Sequence, residues 1–256
     1  ATTEIYTLSL HDALPILGLK NSYFYNTNGL PPDSPDVQGT YSCARDLAIL
    51  SRELIKHKKI LEWSSTWIDY LRNGKSVLNN TNRLVRFYPG ADGIKTGFTQ
   101  EAKYCLASTA ERDGIRFIAV VMGADDSETR FEESKRLLNY GFALYQPLVL
   151  AEENEIIQEL DIPNGREETA RGIVEKQVIV PARRGREEEI SKVVELEKKI
   201  RAPLKKGERI GSLKIYKGNL LLKTVDIVID QDVEKASFFQ MFRRIIRYQI
   251  GSLVFR

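Results

Sequence analysis

The 256-residue sequence predicts an α+β protein: an antiparallel sheet flanked by helices, then a small all-β region, then an amphipathic helix at the end. Three observations carry this. Apolar residues recur at helical spacing over 43–58 and 128–145, and period-two alternation flanks Asp113-Gly114, a dipeptide favoured in two-residue hairpin turns. After Pro147, short strand-like segments succeed one another between Pro-, Gly- and charge-rich breaks, which is how an all-β region reads.

In order along the chain, residues 1–16 read as a non-native leader. The run from Glu4 to Ile16 resembles the conceptual translation of a sequencing adapter, and a genuine short segment packing locally is the alternative. It makes no signal peptide, since it lacks a basic start before an apolar run and is interrupted by Asp12 and Pro15. Residues 43–58 predict a helix with Leu47, Leu50, Leu54 and Ile55 on one face, Ser42 as its N-cap, and terminal lysines suited to the dipole. Residues 95–99 predict a strand beside the hairpin 104–109 and 116–121, and the helix 128–145 offers Phe131, Leu137, Leu138 and Phe142 to that sheet. Strands are then expected at 155–160, 173–180, 190–196, 208–216 and 220–229. The organisation read from these patterns is 17–146, a β-rich 147–232, and a helix over 233–256.

Composition excludes several classes. Hydrophobic content of 42% and charged content of 29% are ordinary for a globular chain, and no apolar run approaches a bilayer span. Cys43 and Cys105 lack metal-ligand spacing and read as two separate buried thiols. His11 and His57 are the only histidines, too few for a histidine triad or a zinc site, so no metal and no cofactor are expected. The run Arg183 to Glu189 mixes charge signs and reads as a solvated turn; with no recognition motif, no nucleic-acid partner is expected. Residues 237–256 hold four arginines and no acid, which leaves the rest of a +3 chain at about −1. With Phe238, Phe239, Met241 and Phe242 on one side, this segment reads as a helix lying in a membrane interface; docking on the protein's own core is the alternative.

The most informative stretch is Pro89-Gly90-Ala91-Asp92-Gly93-Ile94-Lys95-Thr96-Gly97-Phe98-Thr99, in which a glycine-rich turn feeds a Lys-Thr-Gly triplet into a strand. The ammonium supplies charge for an anion and the hydroxyl a short hydrogen bond. The glycine lets a ligand backbone lie against the strand without meeting a side chain. Asp92 is expected to fix the turn rather than act as acid or base, and Asn80 and Asn82 to shape the loop before it.

Lys-Thr-Gly is also the third of three motifs in penicillin-binding proteins and class A β-lactamases. From Leu19 to Arg256 the chain resembles the low-molecular-mass penicillin-binding proteins, the serine-type D-alanyl-D-alanine carboxypeptidases of peptidase family S11. The matching segments run in order: 17–22 (Leu-Gly-Leu-Lys-Asn-Ser), Asn28-Gly29-Leu30, 41–48 (Tyr-Ser-Cys-Ala-Arg-Asp-Leu-Ala), Asn80-Thr81-Asn82, the Lys-Thr-Gly turn, and 130–138 (Arg-Phe-Glu-Glu-Ser-Lys-Arg-Leu-Leu). The resemblance implies part of a β-lactamase/transpeptidase-like domain, a β-rich C-terminal domain and a membrane-anchor helix. It implies removal of the terminal D-Ala from peptidoglycan stem peptides through an acyl-enzyme. Lys95, Thr96, Gly97, Phe98 and Arg130 would bind substrate: Lys95 and Thr96 the terminal carboxylate, Arg130 the same carboxylate bidentately, and a backbone N–H just past the triplet the oxyanion. For Arg130, a helix-face contact with Glu133 or Ser134 is the equal rival. Phe98 departs from the histidine that some members carry there, which leaves deacylation behaviour open.

The family's Ser-x-x-Lys and Ser-x-Asn motifs occur nowhere in the 256 residues. The chain is therefore expected to be the C-terminal part of such an enzyme, with no catalytic residue of its own and inactive alone. Implied partners are a stem peptide ending in D-Ala-D-Ala, β-lactams if the chain is completed upstream, and a membrane surface through 237–256. The implied location is peripheral, on the extracytoplasmic face of the bacterial cytoplasmic membrane. A non-catalytic, membrane-associated cell-wall scaffold is the alternative from another class. A class A β-lactamase is third, disfavoured because that family lacks the β domain and tail.

Overall fold

The computed structural model describes residues 14–34 and 36–254, in two compact units, 1–144 and 145–256. The first unit holds a helix Ala44–Leu54, a shorter helix Lys58–Ser64, a hairpin of β1 (Ile68–Leu71) and β2 (Ser76–Asn79), and a single helical turn Leu84–Phe87. Next comes an antiparallel sheet in the order β3 (Ala91–Thr99), β4 (Lys103–Arg112), β5 (Ile115–Ala124), and then the helix Ser127–Leu144. Alternation along β4 and β5 turns Leu106, Ala110 and Ala119 inward, where they meet Leu84 and the helix's Phe131 and Leu138. Asp113 and Gly114 both have positive φ, the geometry a two-residue hairpin turn demands.

Local expectations fail in instructive ways. Ser42 does not cap the first helix; Cys43 occupies that position, and the Ser42 hydroxyl instead meets that of Ser22 at 2.7 Å. Ser22 and the Asn21 N–H converge on the buried Asp46 carboxylate at 2.9 and 2.8 Å, pinning segment 17–22 to the helix. Cys43 and Cys105 are free thiols but partly exposed rather than buried. The leader expected over 1–16 falls mostly outside the described residues. Its described end is folded together with segment 17–22, because Leu14 is buried and its carbonyl accepts the Leu19 N–H at 2.8 Å. The hairpin Ile68–Asn79 was not among the expected elements, although its turn holds Asn73-Gly74, both at positive φ.

In the second unit, β6 (Tyr145–Ala151) pairs with β9 (Val178–Arg183), and a five-stranded antiparallel sheet runs β10-β11-β12-β8-β7. Its members are β7 (Ile156–Asp161), β8 (Thr169–Ile173), β10 (Ile190–Leu196), β11 (Arg209–Lys217) and β12 (Leu220–Ile229). The strand expected at 173–180 is the end of β8, a turn and the start of β9, two strands in different sheets. Aliphatic residues fill the core, among them Ile162, Ile210, Leu213, Ile215, Ile227 and Ile229. The unit runs past the expected limit of 232: Val233 is buried in this core and bridges Leu204, and Lys235 bridges Gly165.

The last element is the helix Phe238–Val254. Ser237 and Gln240 cap it reciprocally, the Gln240 side chain accepting the Ser237 N–H at 2.8 Å and the Ser237 hydroxyl accepting the Gln240 N–H at 3.3 Å. Phe238 and Phe239 stand 78% and 81% exposed. Arg244 faces the other way: it donates to the Gly165 and Arg166 carbonyls, both at 2.7 Å, and pairs with Glu168 at 2.7 Å. Of the four arginines expected to face lipid headgroups, Arg244 is thus held by the β unit. No described helix is long and apolar enough to cross a membrane.

Candidate functional site

The Lys-Thr-Gly strand is the outer strand of its sheet, paired only with β4 among the described strands. Its entry is braced on all sides. Gly90 is at positive φ, and a Cβ there would stand 2.2 Å from the Glu111 carbonyl oxygen, so only glycine permits this turn to close on β4. The Ser64 hydroxyl donates to the Asp92 carbonyl at 2.7 Å and the Asn82 amide to that of Gly93 at 2.9 Å. Asp92 is not confined to its turn. Arg116 on β5 grips it bidentately at 2.7 and 2.8 Å and also pairs with Glu111. Burial works against the Arg116 charge, but the bonds to Asp92 and Glu111 outweigh it and hold its pKa above the ordinary guanidinium value.

Past this braced entry the strand opens. Lys95, Gly97 and Phe98 are exposed while Thr96 is 8% exposed. The Lys95 ammonium bonds the Thr96 carbonyl, folding along its own strand. A Cβ on Gly97 would meet only Cys105 Cβ, at 3.9 Å, so space for a ligand backbone lies open there. Sequence reasoning passed over Thr81. Its hydroxyl lies 2.6 Å from that of Thr96, brought there by Asn80, which binds the Ser64 and Thr66 carbonyls, and by Asn82. Asn80 and Asn82 do shape this loop.

At 6% exposure Arg130 does not pair with Glu133, which takes Arg136 instead, and its contact with Ser134 runs through the backbone, the Arg130 carbonyl accepting the Ser134 hydroxyl at 2.8 Å. One guanidinium nitrogen donates to the carbonyls of Gly97 and Cys105, each at 3.3 Å, and the other to the Ser127 hydroxyl at 3.1 Å. The group stacks 4.7 Å from the Phe131 ring and 5.4 Å from Tyr104, whose far neighbour is Phe98 at 4.4 Å. Among the described residues no carboxylate pairs with it, and its Nε is buried without a partner. Burial therefore depresses its pKa. A cation held this way behind Gly97, with Lys95 in front, makes the open half of β3 electropositive. The strand thus offers a positive edge, a hydroxyl pair and bare backbone, which suits an extended ligand ending in an anion.

Comparison with known proteins agrees with this architecture. Residues 9–126 match the family model for D-alanyl-D-alanine carboxypeptidase and residues 145–235 that for the C-terminal domain of penicillin-binding protein 5. The first match begins inside the segment expected to be foreign. The D-alanyl-D-alanine carboxypeptidase DacF of Bacillus subtilis is 34% identical over 232 residues, covering 89% of this chain and 58% of DacF. Penicillin-binding protein 5 from Haemophilus influenzae is 28% identical with a TM-score of 0.55, over 90% of this chain and 66% of that one. A peptidoglycan synthesis regulatory factor (PBP3) from Streptococcus pneumoniae shares the fold at a TM-score of 0.74 and 24% identity, over 90% of this chain and 69% of that one. The chain spans little more than half the length of the curated relatives it matches.

Proposed function

Because this chain belongs to the low-molecular-mass penicillin-binding proteins of the D-alanyl-D-alanine carboxypeptidase family, we propose that β3 is the substrate strand of a serine-type carboxypeptidase acting on peptidoglycan stem peptides. The observation that carries the reading is the contrast within β3: Asp92 and Gly93 are closed off by Ser64 and Asn82, while Lys95, Gly97 and Phe98 stand open. The stem peptide lies extended along this half. Lys95 swings from the Thr96 carbonyl to the terminal D-Ala carboxylate, and the Thr96 hydroxyl, backed by Thr81, donates to the same group. The Phe98 N–H faces the oxygen of the scissile carbonyl, which becomes anionic when a serine attacks. The terminal D-Ala then leaves and water hydrolyses the ester.

The serine and its lysine are not among these residues, since no Ser-x-x-Lys occurs in the sequence. The chain by itself therefore forms no acyl-enzyme with peptide or β-lactam and turns nothing over. That absence is also what favours the second reading, a non-catalytic cell-wall scaffold. Either way the exposed phenylalanines that open the last helix, Phe238, Phe239 and Phe242, suit a lipid interface and support a peripheral membrane location. The outer face of the cytoplasmic membrane is the side on which the proposed peptidoglycan substrate lies.

Labelling with fluorescent penicillin tests the proposal on this chain and on a version carrying the family's Ser-x-x-Lys and Ser-x-Asn segment upstream. The chain stays unlabelled and the completed version labels, with Lys95→Ala slowing acylation by about 10²–10³. A completed version that never labels leaves the scaffold reading standing, and full-rate labelling of Lys95→Ala removes β3 from the site.

A further inference from the structure

Arg130 is a buried cation with no acidic partner among the described residues, and the acylation chemistry does not use it. Its contacts indicate what it does. A single guanidinium nitrogen bonds the carbonyls of Gly97 and Cys105, which face each other across β3 and β4. The Gly97 carbonyl is therefore turned toward β4, away from the open edge. The Gly97–Phe98 peptide is trans, so its N–H points the opposite way, out of the sheet's free side. A charged donor on the carbonyl of a peptide draws electron density from its N–H and makes that N–H a stronger donor, the more so in a site screened from water.

We infer that Arg130 is a positioning residue: from behind the strand it fixes and polarises the Gly97–Phe98 peptide, so that the outward Phe98 N–H is a strengthened donor to an oxyanion, and it does not itself grip the substrate carboxylate. The inference rests on β3 being the substrate strand. Stacking on Phe131 and Tyr104 holds the guanidinium in place where a carboxylate would neutralise it.

Two measurements test this. In this chain, Arg130→Met keeps the length of the side chain and removes the charge; the Phe98 amide proton resonance moves upfield while those of Ile215 and Ile227 in the other unit stay put. An unmoved Phe98 amide overturns the inference. In the Ser-x-x-Lys-bearing version, Arg130→Met slows acylation about tenfold, less than the loss of a donor outright. It leaves KM within about twofold, and it leaves intact the preference for a peptide with a free terminal carboxylate over its C-terminal amide. Arg130→Lys recovers part of the rate. Loss of the acid-over-amide preference in Arg130→Met makes Arg130 a direct carboxylate ligand and overturns the inference, as does full-rate acylation. If unsubstituted protein shows no such preference and Lys95→Ala acylates at full rate, the substrate strand itself is misplaced and this inference goes with it.

Discussion

The two units bury different kinds of side chain. Among the described residues the first unit buries Asp46, Ser51, Asn82, Thr96, Ser108, Thr109, Arg130 and Ser134, whereas the second buries Ser212 alone beneath an aliphatic core. Burying a polar group is unfavourable unless it is hydrogen-bonded, so a polar interior persists only where each group meets a partner. Most of these do: Asn82 holds Gly93, Ser108 the Ala119 carbonyl, Thr109 that of Phe117, and Ser134 that of Arg130. Directional bonds fix backbone positions in a way that apolar contact does not. The first unit thus uses its interior to aim β3, and the second uses its interior to stay folded.

The largest expected effect breaks the second interior. Ile227 is fully buried on β12, the middle strand of the five-stranded sheet, and Ile227→Ala removes its bulk from a core whose neighbours are held in place by the paired strands. Such truncations cost about 2–5 kcal/mol. Amide hydrogen exchange resolved by residue should quicken across β11 and β12 and stay unchanged in β4 and β5. Equal quickening in both would mean the two interiors melt as one and the contrast has no energetic content.

The next effect is smaller in energy and larger in function. Asn82→Ala strips the Gly93 carbonyl and the Leu84 N–H of the partner that bonds both, at 2.9 and 3.1 Å. Leaving such groups unsatisfied costs about 1–3 kcal/mol. Because the lost bonds stand just before the open half of β3, acylation in a nucleophile-bearing version should fall by more than the stability change accounts for. Proportionate losses of rate and stability would show that the polar interior only holds the unit together.

How much of this was legible varied with the range of the interaction. Asp113-Gly114, the Lys-Thr-Gly strand and the evenly broken strands after residue 147 are local patterns, and local geometry follows from them. Helix spacing offers Arg130 its near neighbours Glu133 and Ser134, and Ser134 does bond its carbonyl, but two of the acceptors of its guanidinium lie 33 and 25 residues away, where no local pattern points. Thr81 carries no signal of its own; only folding brings it to Thr96. The strand Tyr145–Ala151 was missed because Pro147 argues against a strand. It survives in a two-stranded ribbon, where Pro147 faces Pro181. The closing helix carries a readable start in Ser237-Phe-Phe-Gln240, a Ser-x-x-Gln capping pattern.

A third test separates the interiors by pH. The Asn21 N–H, and then the Ser22 hydroxyl, hold the Asp46 carboxyl below its usual range. A depressed folded pKa means that this contribution is complete above the unfolded value, about 3.9, and fades as pH falls through the lower folded value. Acid titration should therefore release segment 17–22 from the helix Ala44–Leu54, seen as faster exchange at Asn21, with the second unit's core untouched. Asp46→Asn should abolish that pH dependence. A variant titrating like the parent would assign the acid response to some other carboxylate.

The smallest effect concerns whether the last helix shares the second unit's stability or is merely attached to it. Ser237→Ala removes a cap worth about 1 kcal/mol, and with it the hydroxyl that accepts the Gln240 N–H. The helix is nevertheless tethered one turn further on, where Arg244, its side chain 16% exposed, binds the Gly165 and Arg166 carbonyls and Glu168. Fraying should thus stop short of Arg244: exchange should rise at Gln240 and Met241 and remain unchanged at Ile215. Arg244→Ala combined with Ser237→Ala should release the whole helix while Val233 keeps its bridge to Leu204, because that bridge belongs to the aliphatic core. If the double variant instead loosens Val233 and Ile215 together, the helix is part of what keeps the second interior closed.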